Sequence, residues 1–118
     1  MRMSETFLRF GSLEVALPQG NMSKKNFLEN RKLLEPLCDY AIANHFPDMD
    51  IYSVDPYEEL YKRLVKSSAE LVALWQSVGY VHGVLNTDNM SLGGLTIDYG
   101  PFAFMDYFSK DFVSNATD

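Results

Sequence analysis

The chain has 118 residues and a mass of 13.5 kDa, which is room for one domain. Sixteen acidic against ten basic residues leave a net charge of −6, which argues against a nucleic-acid binder and its basic face. The single cysteine, Cys38, excludes an internal disulfide framework, and His45 and His82 form no zinc-ligand spacing.

The N-terminus, MRMSETFLRFGS, lacks an apolar signal-peptide core, and no apolar run approaches the roughly 18 residues of a membrane helix. The composition is that of an acidic, reduced, soluble chain without repeats or low-complexity tracts. Residues 1–17 mix aromatic, apolar and β-branched residues and predict a short extended or irregular segment. Pro18, Gly20, Asn21 and Ser23 predict a loop over 18–24. Leu33, Leu34, Leu37, Cys38, Ala41, Ile42 and His45 recur at helical spacing, which predicts an amphipathic helix within 26–46. Pro36 fits poorly inside it, so the regular part is expected to begin near Pro36, and Pro47 closes it. Cys38 is expected as a buried residue of this helix.

The acidic stretch 48–59 reads as a solvated loop running into a helix start. Asp55 can cap, Pro56 suits the first helical position, and Glu58 can reach back to complete a capping box. Leu60, Leu64, Leu71, Val72, Trp75 and Val78 then keep one face apolar. The expected helix, 56–78, is about 35 Å long and forms the spine, with Trp75 in the core. Beyond Gly79 the character changes. Turn formers (Asn86, Asp88, Asn89, Gly93, Gly94, Gly100) surround one apolar strand, Leu95-Thr96-Ile97, which is expected in a short hairpin. The aromatic run 102–113 predicts a short helix or irregular packing beneath the site.

The chemistry concentrates in Asp88, Asn89 and Asp98. Taken singly, each is an ordinary turn residue. Together they offer hard oxygens of the kind Mg²⁺ prefers, and they are expected to converge on one divalent ion. The spacing sharpens this. In the protein-kinase pattern H-R-D-L-x-x-x-N the Asn binds metal, and the Asp of a following D-F-G does too. Here His82 precedes Asn89 by seven positions, Leu85 takes the Leu position, and Asp98-Tyr99-Gly100 follows. The kinase base position holds Val84, which cannot accept a proton, so Asp88 is the nearest candidate base.

The runs His82-Gly83-Val84-Leu85-Asn86-Thr87-Asp88-Asn89-Met90-Ser91 and Leu95-Thr96-Ile97-Asp98-Tyr99-Gly100-Pro101-Phe102 closely resemble the selenoprotein O family. Phe7-Leu8-Arg9-Phe10-Gly11-Ser12 and Trp75-Gln76-Ser77-Val78-Gly79-Tyr80 extend the resemblance over most of the chain. Members are kinase-fold pseudokinases that act as protein adenylyltransferases, found in bacterial cytoplasm and in mitochondria. The resemblance implies an α+β, mostly helical fold: a partial kinase-like large lobe over residues 1–118. It implies ATP as substrate, Mg²⁺ as cofactor, and transfer of AMP to Ser, Thr or Tyr hydroxyls of partner proteins, with no nucleic-acid or membrane partner. By the same resemblance Asp88 is the proton acceptor. Asn89 and Asp98 are the Mg²⁺ ligands, Asp98 also lies at the nucleotide, and Arg2 and Arg9 grip phosphate oxygens.

The family's nucleotide-binding small lobe and its C-terminal region have no counterpart in these residues, so weak ATP binding by the chain alone is expected. Locally, Ser67-Ser68-Ala69 replaces the family's Arg-Thr-Ala, Gly93 replaces a Leu, and Ala103 replaces a Gly. Two alternatives stay open: a non-catalytic fragment or binding module, and an orthodox kinase moving the γ-phosphate.

Overall fold

The computed structural model describes residues 3, 4, 6–16, 24–50, 52 and 55–117, with only the backbone of 24–27. These residues form an α+β arrangement of three helices and a two-stranded antiparallel sheet. The loop expected over 18–24 lies outside the described residues except for Lys24, which opens a helix.

Helix α1 (Phe10–Leu13) is a single turn that continues into a 3₁₀ turn, Glu14–Ala16. The reading of 1–17 as extended or irregular therefore holds only in part. Residues 6–8 form no helix, and Arg9 makes an antiparallel bridge to Ser91. The helical turn forms beyond that bridge because the loop supplies partners for its first amides. Phe10 N–H donates to the Met90 carbonyl at 2.9 Å and Gly11 N–H to Thr87 at 3.0 Å.

Helix α2 spans Lys24–His45, with Pro36 inside it. It begins a full three turns earlier than Pro36 led us to expect. Pro36 removes one helical N–H, but both it and Lys32 are solvent-exposed, so water can satisfy the freed Lys32 carbonyl. Helix α3 spans Pro56–Ser77, about 33 Å. Asp55 caps it as expected, accepting from the Tyr57 and Glu58 amides, each at 3.1 Å. Glu58 does not reach back to complete the box; its carboxylate pairs with Lys62 one turn on, at 2.6 Å.

The best-packed core lies where the end of α2 meets the start of α3. Ile42, Met49 and Leu60 are buried there, with Cys38, Phe46, Tyr57 and Leu64 packed against them. Cys38 is half-buried rather than buried, and that burial pushes its thiol up from the ordinary value. The Tyr57 hydroxyl donates to Asp39 at 2.8 Å, and Arg63 bonds Asp48 at 2.7 Å, so polar pairs on the rim tie the two helices and their connection. The outer apolar positions differ from expectation: Leu33 and Val78 are exposed, and Trp75 is only half-buried.

Strands β1 (Tyr80–Val81) and β2 (Ala103–Phe104) pair with Tyr80 opposite Phe104 and Val81 opposite Ala103. Leu95-Thr96-Ile97 is not a strand. Only Thr96 forms a bridge, to Met90, while Ser91 N–H donates to Leu95 and Ile97 N–H to Asn89 across a narrow turn. The aromatic run continues from β2 as irregular structure. Tyr80 is the hub of its packing, with ring centroids 5.1 Å from Trp75, 5.6 Å from Phe102 and 5.4 Å from Phe104.

Candidate functional site

The candidate residues Asp88, Asn89 and Asp98 lie in the segment between β1 and β2. Gly83 enters this segment with φ +86°, and a Cβ there would sit 2.6 Å from Ser114 Oγ and 2.7 Å from the Pro101 carbonyl oxygen. Only glycine lets these three stretches of chain meet so closely.

His82 is buried, and its two ring nitrogens organise the segment. Nδ1 accepts from the Val84 amide at 3.2 Å. The ring hydrogen therefore sits on Nε2, which lies 2.7 Å from the Asp98 carbonyl oxygen and 2.6 Å from Thr96 Oγ1. The Thr96 hydroxyl in turn lies 3.1 Å from the Asn89 carbonyl and 3.0 Å from that of Asp98. Ile97 N–H closes the arrangement on the Asn89 carbonyl at 2.8 Å. His82 and Thr96 thus fasten the main chain of Asp98 to that of Asn89, although nine positions separate them.

Asn89 is half-buried, and its side-chain nitrogen donates to the Val84 carbonyl at 2.7 Å. That bond fixes the amide and leaves its oxygen as the end able to serve a cation. The Asp98 side chain is exposed, and a Cβ on Gly100 would lie 3.5 Å from its Oδ2 and 3.7 Å from Val84 Cγ2. Val84, Asn89, Asp98 and Gly100 are accordingly neighbours. Asp88 is exposed, and its carboxylate lies against the turn at Gly11, 2.6 Å from where a Cβ would stand.

Arg9 is exposed and enters from the N-terminal segment. That segment is laced to the loop: Leu92 N–H donates to Leu8 at 2.9 Å, and Ser91 Oγ donates to the Thr6 carbonyl at 3.3 Å. Thr6 and Ser91 are both buried, and Thr6 Oγ1 also lies 3.1 Å from His45 Nε2 at the end of α2. Arg2 lies outside the described residues. No cluster of three or more His, Cys, Asp or Glu side chains placed to hold a metal occurs among the described residues. No helix among them is long and apolar enough to cross a membrane.

Sequence reasoning did not single out Thr96, Thr6, Ser91 or Gly11. A buried hydroxyl leaves no pattern unless its partners are known. The kinase-like spacing did mark His82.

The family model described as "Protein adenylyltransferase SelO" matches residues 1–118. A "Protein nucleotidyltransferase YdiU" of Thiobacillus denitrificans is 44% identical over 120 residues, covering 99% of this chain and 22% of its own. Another of that name, from Thioalkalivibrio sulfidiphilus, is 41% identical over 118 residues, covering 100% of this chain and 22% of its own. "Protein adenylyltransferase SelO-1, mitochondrial" of Danio rerio is 41% identical over 123 residues, covering 100% of this chain and 18% of its own. The chain spans about a fifth of the length of these curated relatives.

Proposed function

Because the chain belongs to the protein adenylyltransferase SelO family, we propose that it supplies the metal- and hydroxyl-facing part of a site that transfers AMP from ATP to protein hydroxyls. In this reading it is the part of a kinase-like large lobe that carries the catalytic-type loop. The long helix α3, the loop that follows it and the spacing of His82, Asn89 and Asp98 support that assignment.

The observation that carries the reading is the fastening of Asp98 to the Asn89 loop by His82 and Thr96. A cation site needs its donors held in a fixed geometry, and here they come from two chain segments tied together. The donor set suits Mg²⁺: one carboxylate, Asp98, and one amide oxygen, Asn89, with its nitrogen already bonded to Val84. When bound, the ion supplies positive charge against the phosphate oxygens. Asp88 takes the proton of the incoming Ser, Thr or Tyr hydroxyl as its oxygen bonds to the α-phosphorus. The bond from the α-phosphorus to the bridging oxygen breaks, and pyrophosphate leaves. Arg9 and Arg2 neutralise phosphate oxygens through paired guanidinium donors.

Val84 favours this over γ-phosphate transfer, because the side chain in the kinase base position has no atom that accepts a proton. ATP labelled at either the α- or the γ-phosphorus, incubated with the chain, Mg²⁺ and a protein acceptor, tests the proposal. Label is expected on protein from the α position only. Label from the γ position would make the chain a kinase, and label from neither would make it a non-catalytic module.

A further inference from the structure

The turn that carries Arg9 also meets Asp88, and it does so through a glycine. Gly11 lies inside α1, where its backbone is ordinary helix and has no need of a positive φ. Alanine is the better helix former, so local propensity alone favours a side chain here. The space argues otherwise. A Cβ on Gly11 would stand 2.6 Å from Asp88 Oδ1, 3.6 Å from Asp88 Cγ and 3.5 Å from the Thr87 carbonyl oxygen. The first separation is well inside van der Waals contact, and the other two are ordinary. The conflict is therefore with the carboxylate and not with the backbone.

Three backbone hydrogen bonds keep the two segments from moving apart to relieve it: Gly11 N–H to Thr87, Phe10 N–H to Met90 and Leu92 N–H to Leu8. With the backbones clamped, a methyl group at position 11 forces the Asp88 carboxylate out of the place it occupies.

We propose that Gly11 is a positioning residue: its missing side chain reserves the place of the Asp88 carboxylate and so sets that group's direction relative to the Arg9 segment. The proposal rests on the adenylyltransferase reading for what Asp88 does, but not for the contact itself. Gly11→Ala leaves backbone and charge unchanged and turns the carboxylate away.

A double-mutant cycle separates the contact from the chemistry. Gly11→Ala is made in the native chain and in an Asp88→Ala chain, and thermal unfolding is followed in all four. Without the carboxylate, Gly11→Ala is expected to raise the melting temperature by about 3–6 °C, as a strain-free replacement of a helical glycine does. In the native chain the same change is expected to give no rise, or a fall. Equal shifts in the two backgrounds would overturn the proposal. So would failure of Gly11→Ala to fold in both, which would place the conflict with the backbone.

The transfer assay reads the consequence. Gly11→Ala is expected to lower kcat for AMP transfer at least tenfold with KM for ATP unchanged, the signature of a displaced base. An unchanged kcat would overturn the positioning role. If the native chain transfers no AMP, the functional reading fails, while the melting-temperature cycle still decides whether Gly11 holds Asp88.

Discussion

His82 shows how one side chain can set a site without touching a ligand. The ring accepts from the Val84 amide on one side and reaches the Asp98 carbonyl on the other. It therefore spans the two segments that carry the proposed metal ligands. Thr96 adds a buried hydroxyl between the Asn89 and Asp98 carbonyls, so the polar groups of this turn partner one another. Far from that site, Tyr57 makes the hydrogen bond with the most distinct titration. Its hydroxyl donates to Asp39, and that bond, helped by partial desolvation and the carboxylate charge, pushes the phenol up to about 12. The folded value lies above the ordinary phenol value of about 10. The stabilisation is thus complete below about pH 10 and is lost as pH rises through 12. Phenolate absorbance of the native chain minus that of Tyr57→Phe is expected to show a midpoint near 12. A midpoint near the ordinary value would mean that Asp39 does not accept the bond in solution.

At the scale of elements, the long helices were legible because they repeat a signal over many residues. Helix α3 combines an Asp55 cap, Pro56 at its first position and an apolar stripe, and it forms at Pro56–Ser77 as those signals require. The start of α2 lies earlier than its sequence suggests because Pro36 is a strong local breaker, and its exposed position, which makes it tolerable, is a tertiary fact. The Leu95–Ile97 stretch departs from its sequence pattern for a related reason. Its composition is that of a strand, but the buried member is Thr96, held by His82 and two carbonyls, while Leu95 is 43% exposed. The paired strands instead fall on Tyr80–Val81 and Ala103–Phe104, too short for any periodic pattern to register. At the candidate site, spacing singles out His82, Asn89 and Asp98, with Asp88 as the nearest candidate base, while Arg9 comes from the family resemblance alone. Neither singles out Gly11, since its role depends on a carboxylate 77 positions away. Gly83 offers a test at this scale. Gly83→Ala meets both a left-handed backbone and the Pro101 carbonyl, and it is expected to destabilise the fold by roughly 1–3 kcal/mol in a denaturant titration. A change of a few tenths would show that the loop and the 101–114 stretch are not tightly joined.

As a whole molecule the chain is open. Its radius of gyration is 16.8 Å, against about 13.5 Å for a compact domain of this length. Phe104 in β2, and Tyr107, Phe108 and Val113 beyond it, are all at least 60% exposed. The core is correspondingly small, and the site is held mainly by hydrogen bonds within the 82–100 stretch and between it and the N-terminal segment. A site of this kind can be well formed locally and still hold a nucleotide weakly, so its occupancy is best read residue by residue. Mn²⁺, a paramagnetic substitute for Mg²⁺, titrated with ATP into the isotopically labelled chain, broadens the NMR signals of residues near the ion. The account predicts broadening centred on Asn89 and Asp98, weakened by Asp98→Ala. Undisturbed signals at both positions, or broadening centred on the acidic stretch 48–59 instead, would contradict it.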